Sequence, residues 1–152
     1  MARVWLNVDQ QRVWRNYLLM STRLQAAMNR QLQTDCGLSL ADYDVLVALS
    51  ERGRLRIVEL AELLGWEQSR LSHQLRRMRT RELIGRRDAD EDRRGATVDI
   101  TAAGRAALTA AAPGHVRLVR SVLFDDITPA QLRALDRLTA TVLARLGDEA
   151  PT

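Results

Sequence analysis

Residues 57–104 read IVELAELLGWEQSRLSHQLRRMRTRELIGRRDADEDRRGATVDITAAG, and this stretch decides the fold. Ile57, Leu60, Ala61 and Leu64 recur at helical spacing, which predicts a short helix over 57–64 that Gly65 ends. Leu71, Leu75 and Met78 mark a second helix almost at once. On a wheel of about 100° per residue these three lie within about 60° of one another and face a core. A short helix, a glycine-containing turn and a second helix make a helix-turn-helix pattern. After Leu83 the period changes. Val98 and Ile100 alternate with Thr97 and Asp99, a β-branched period-two run that reads as a strand. Residues 84–88 and 96–101 then pair as a β-hairpin across the charged loop 89–95, forming a wing directly behind the second helix.

Helices flank this unit on both sides. Val13, Tyr17, Met20, Leu24, Met28 and Leu32 fall at steps of three and four, predicting one amphipathic helix from about Asp9 to Gln33 that Gly37 stops. Ser39-Leu40-Ala41-Asp42 reads as a capping box opening a further helix up to Gly53. Beyond the hairpin, Thr101 caps a helix to roughly Ala112, where Pro113-Gly114 breaks or kinks it before Val116, Val119 and Leu123 resume. Thr128-Pro129-Ala130-Gln131 starts the last helix, along which Leu132, Leu135, Leu138, Val142 and Leu146 share a face. With no repeat or linker visible, 1–152 reads as one mainly α-helical domain with a small β-hairpin wing. The apolar stripes of the first and last helices, with Trp5 and Trp14 near the chain start, exceed what three small central helices can cover. Such a patch marks an interface.

Composition narrows the function. A chain of 152 residues that is 46% apolar and 28% charged has ordinary globular composition. The longest aliphatic run is Val45–Leu49, too short for a transmembrane helix, and no signal peptide is read near Arg3; a cytoplasmic location is expected, without a membrane partner. The single cysteine, Cys36, forms neither an internal disulfide nor a multi-cysteine metal site, and it reads as a half-buried thiol without a resolving partner. His73 and His115 are the only histidines, and no metal-ligand pair, nucleophile–base pair or phosphate loop is evident. Neither an enzyme nor a metal or other cofactor is expected.

Charge points the other way, to a polyanion. Basic residues number 23 against 19 acidic ones, and every basic one is arginine. Seven arginines against the lone Glu82 lie between Gln68 and Arg87, a net of +6 in a chain of +4. Opposite the apolar stripe of the second helix project Ser69, His73, Arg76, Arg77 and Thr80, with Arg70 on the flank. That is the arrangement of a helix that enters the major groove of double-stranded DNA, where arginine binds guanine O6 and N7 and small polar groups bind phosphates. The competing reading is a winged-helix module that binds protein partners without specific DNA binding.

From about Leu60 to Gly104 the sequence resembles the MarR family of winged-helix transcriptional regulators. The matching residues are Leu60-Ala61 and Leu64-Gly65, then Gln68-Ser69-Arg70-Leu71-Ser72, Leu83-Ile84, Asp92-Arg93-Arg94 and Thr97 through Gly104. Three departures are visible: Ile100 where leucine is usual, Glu82 where many relatives have glycine, and Trp66-Glu67 in place of an N-cap residue. The resemblance implies a homodimer, with 1–36 and 101–152 as dimerisation helices and 37–100 as the winged helix-turn-helix. It further implies a repressor on a palindromic operator. Together these readings make Gln68, Ser69, Arg70, Ser72, His73, Arg76, Arg77, Arg93 and Arg94 the candidate DNA-binding residues. Arg94 is expected in the minor groove, with Asp92 supporting the wing. Relatives bind aromatic or phenolic acids between the dimerisation helices and the winged region, which makes Trp14, Arg15, Tyr17 and Tyr43 the candidate effector pocket.

Overall fold

Helix α1 runs over Val8–Cys36, α2 over Leu40–Arg52, α3 over Ile57–Leu64 and α4 over Gln68–Thr80. Strands β1 (Leu55–Arg56), β2 (Ile84–Arg87) and β3 (Thr97–Ile100) follow these helices or lie between them, and α5 (Ala102–Val119) and α6 (Pro129–Gly147) complete the chain. This computed structural model describes residues 4–88 and 95–147. The starts of α1, α2 and α5 have a local cause. Asn7 and Gln10 close a capping box on α1, Ser39 and Asp42 close one on α2, and the Thr101 hydroxyl accepts from the Gly104 amide at 3.0 Å to cap α5. Gly65 ends α3 in the left-handed conformation at φ 66°, which turns the chain into α4 within three residues.

The core of the first four helices is built from Leu32, Leu38, Val45, Leu46, Leu49, Leu60, Leu71, Met78 and Val98, all fully buried. Burying each such side chain stabilises the fold by about 1.5–3 kcal/mol. Leu32 and Leu38 dock the end of α1 on this core, while Ala111 brings α5 onto it.

The hairpin is present, with one strand more than expected. Strands β2 and β3 pair antiparallel with Ile84 opposite Ile100 and Arg87 opposite Thr97. Strand β1 pairs on the other edge of β3, placing Leu55 opposite Val98, so the order is β1-β3-β2. The Ile57 amide extends this edge, donating to the Ala96 carbonyl at 3.1 Å. A strand of two residues has no period to read, which is why it escaped the sequence pattern.

The break expected at Pro113-Gly114 does not occur; α5 is continuous through Pro113. Proline forfeits a single amide donation, to the Thr109 carbonyl one turn back, and Thr109 and Pro113 both lie on an exposed face. Beyond Val119 the helix widens into a π-helical turn over Arg120–Phe124, with the Asp125 amide donating five residues back to Arg120 at 2.8 Å. The chain parts into two compact units between Val116 and Arg117. In the second, α6 buries none of its residues and leaves Leu132, Leu138, Val142, Leu143 and Leu146 exposed. In the first, Val8, Val13, Trp14, Tyr17, Leu18, Leu19 and Met20 are exposed along α1. No helix among the described residues is long and apolar enough to cross a membrane.

Candidate nucleic-acid interface

The wheel divides α4 into a buried face, an exposed face and two flanks. Leu71, Gln74, Leu75 and Met78 are buried. Gln68, Ser69, Arg70, His73, Arg76, Arg77, Arg79 and Thr80 are exposed, and Ser72 is half-buried. The positively charged surface expected from the sequence is therefore present. Glu67 holds the N-cap position without a side-chain cap bond, so the helix start owes its position to what surrounds it. The Trp66 indole is one such contact: the Arg70 guanidinium lies over its ring, 4.4 Å from the centroid.

One flank is tied to α2. Asp42 is buried, and its Oδ1 accepts from Gln74 Nε2 at 2.6 Å. Its Oδ2 accepts from Arg81 Nη1 at 2.7 Å and from the Ser39 amide at 2.9 Å. Gln74 Oε1 in turn accepts from Arg77 Nη2, and Arg81 Nη2 reaches the Gly37 carbonyl at 2.9 Å. A single carboxylate thus caps α2, holds α4 at Gln74 and holds Arg81 just past its end. Gln74 carried no signal in the hydrophobic pattern, because a glutamine at that position of a wheel looks like a surface residue. Of the candidate DNA-binding residues Arg70, His73 and Arg77, Arg70 is stacked on Trp66 and Arg77 is bonded to Gln74. His73 alone of the three makes no side-chain hydrogen bond or ring contact among the described residues.

The other flank faces the sheet. Ser72, Arg76 and Arg79 from α4 and Arg86 from β2 surround a small cleft whose other walls are Ile57, Leu75, Ile84 and Val98. No ion pair among the described residues engages Arg70, Arg76, Arg77 or Arg79. Arg70 faces Asp44 at longer range, whereas Arg76, Arg77 and Arg79 have no carboxylate within ion-pair distance among the described residues. The wing-tip residues Asp92, Arg93 and Arg94 lie outside the described residues; strands β2 and β3 lead to and from them.

Trp14, Arg15, Tyr17 and Tyr43 are not brought together within the chain. Trp14 and Tyr17 stack at 5.8 Å on the exposed N-terminal half of α1, beside the exposed Arg15, whereas Tyr43 is buried against His115 with ring centroids 4.4 Å apart. A groove of about 690 Å³ opens elsewhere, lined by Gln25, Met28 and Asn29 of α1, Leu40 and Asp44 of α2, Trp66, Arg70 and His115. Met28 lies about 17 Å along α1 from Tyr17, given about 1.5 Å per residue, too far for both to share one small ligand. Burial lowers the His115 pKa and raises that of Asp44, against the opposing pull of Arg70. The His115 Nδ1 is buried without a hydrogen-bond partner among the described residues. Cys36 is half-buried, with its thiol on the Leu32 carbonyl at 3.1 Å.

The MarR family model matches residues 38–95. Over 97% of this chain and 92% of the other, the structure is similar to Sco3205, a MarR family transcriptional regulator from Streptomyces coelicolor solved in complex with DNA, at 38% identity and a TM-score of 0.89. AbsC, a MarR family transcriptional regulator from the same organism, matches at 34% identity over 95% of this chain and 99% of its own, with a TM-score of 0.88. A mutant MarR from E. coli, complexed with operator DNA, shares the fold with a TM-score of 0.78 at 19% identity, over 91% of this chain and 99% of the other. No curated protein matches the chain. A helix-turn-helix backed by a three-stranded wing sheet, the family match across it and 38% identity along nearly the whole chain lead to one conclusion: this protein belongs to the MarR family of transcriptional regulators.

Proposed function

We propose that the protein is a sequence-specific double-stranded-DNA-binding regulator, acting as a ligand-responsive repressor and as a homodimer on a palindromic operator. The observation that carries this reading is α4: a helix held from behind by a buried polar network, presenting arginines that form no ion pair among the described residues. A major groove about 12 Å wide admits one such helix. The relatives solved with DNA support the same use of the fold.

Homodimerisation is supported by the apolar side chains left exposed along α1 and α6. Two copies place two reading heads on DNA, and a two-fold axis calls for a palindromic site. A small aromatic or phenolic effector is assigned to the groove beside Trp66, Arg70 and His115, which offers an aromatic wall and a cation for a carboxylate. Tyr43 backs this groove through its contact with His115. Trp14, Arg15 and Tyr17 belong instead to the exposed surface of α1.

Titration of fluorescent duplex DNA with the purified protein at several salt concentrations tests the reading. Affinity falls with salt in proportion to the phosphates neutralised. His73→Ala, if His73 reads a base, weakens operator binding by about 1–3 kcal/mol and relaxes preference at one position. Absence of salt-dependent duplex binding would instead mark a protein-interaction module.

A further inference from the structure

Among the described residues the buried polar ones are Asp42 and Gln74, 3% and 4% exposed. Packing alone does not call for an amide on the buried face of α4, since methionine fills a similar volume without the cost of desolvating one. The Gln74 amide is bonded at both ends. Its Nε2 donates to Asp42 Oδ1 at 2.6 Å, while Oδ2 of that carboxylate is taken by Arg81 and the Ser39 amide. A carboxylate only accepts, so the amide cannot turn over without setting oxygen against oxygen. Asp42 thereby fixes Gln74 Oε1 on the outward side, where it accepts from Arg77 Nη2 one turn along the helix. Arg77 is exposed, and Arg76 and Arg79 beside it carry no such tether among the described residues. One guanidinium donor is given to Gln74; the others stay available, in a plane that no longer turns freely.

We propose that Gln74 is a specificity-determining positioning residue of the DNA-reading helix: it touches no base, yet it holds the Arg77 guanidinium aimed at guanine O6 and N7 in the major groove. The inference rests on the reading of α4 as a major-groove helix. An arginine loose in solvent must give up rotamer freedom to reach a base, and it reaches a phosphate as readily. Arg77 has given up part of that freedom in folding. Its binding is therefore directed to the one base edge in line with its fork, which is the gain that preorganisation brings.

The test titrates the full chain, at several salt concentrations, with an inverted-repeat duplex enriched from a random pool and with a scrambled duplex of equal length. Gln74→Met and Arg77→Ala each lower the ratio of the two affinities by roughly ten- to hundredfold. The double variant lowers it no further than Arg77→Ala alone. Gln74→Met leaves the salt slope unchanged, because no phosphate contact is lost. Thermal melts monitor folding. Independently of any Gln74 variant, NMR relaxation of the arginine side-chain N–H groups in unbound wild type gives an ordered Arg77 beside mobile Arg76 and Arg79. The proposal is overturned by a folded Gln74→Met that keeps full discrimination, or by one that weakens both duplexes alike. Losses that multiply in the double variant overturn it too, as does an Arg77 as mobile as Arg76. A wild type that binds the two duplexes equally, or binds neither, overturns the reading of α4 itself.

Discussion

Gly104 and Glu82 show how single residues hold the wing on the helices. A Cβ on Gly104 would meet the Leu83 carbonyl oxygen at 2.0 Å and Ile100 Cγ1 at 3.0 Å, so the first turn of α5 can lie this close only without a side chain. Thr101 secures the same corner, its hydroxyl donating to the Glu82 carbonyl at 2.6 Å. Gly104→Ala is expected to destabilise the fold by about 1–3 kcal/mol, measured as the shift of the urea midpoint at constant slope. Glu82 has φ 59°, the left-handed region where a side chain is strained. The glycine common in relatives at this position is thereby explained, and Glu82→Gly is expected to raise stability by roughly 0.5–1 kcal/mol. His115 gives a pH effect. Its folded pKa lies below the ordinary 6.5 because burial opposes the charge, so the unfolded chain takes up the proton first on acidification. Stability contributed by this site is therefore full at neutral pH and is lost as pH falls through 6.5 towards the lowered folded value. His115→Phe, which keeps a ring on Tyr43, should gain stability relative to wild type between neutral pH and about pH 5. A constant difference would count against the assignment.

The long periodic elements and their caps were legible in the sequence because their signals are local. The Ser39–Asp42 box, Gly65 and the Leu71, Leu75, Met78 stripe each report a geometry within a few residues, and α2, α3 and α4 follow them. Strand β1 and the network at Asp42 were not legible, since both depend on partners more than 30 residues away. The same limit applies to the site. The charge of α4 could be read from its arginines, but not that Arg70 stacks on Trp66 or that Arg77 rests on Gln74. Asp42→Ala should destabilise by about 1–3 kcal/mol, because it leaves the buried Gln74 amide without its acceptor and frees Arg81. A change within experimental error in a chemical melt would refute the anchoring role of this carboxylate. For the wing tip, which lies outside the described residues, Arg94→Ala is expected to weaken operator binding strongly with little change in melting temperature. Asp92→Ala is expected to weaken it too. Tighter binding by the Asp92 variant would reduce the tip to simple electrostatics.

At the scale of the whole molecule, the proposed dimer would cover the apolar side chains exposed along α1 and α6, since a second copy supplies the same surfaces. Light scattering should therefore give twice the chain mass, and a chain shortened before Thr128 should be insoluble or unfolded. A stable, soluble short monomer would contradict this. A dimer carries two α4 helices related by a two-fold axis, and DNA repeats its groove about every 34–36 Å. Selection of bound duplexes from a random pool by the purified protein joins the reading head, the dimer and sequence specificity in one measurement. Enrichment of an inverted repeat, with half-sites centred about 10 base pairs apart or a multiple of that, is the predicted result. Recovery of a pool no different from the input, by protein shown to be folded, would contradict it.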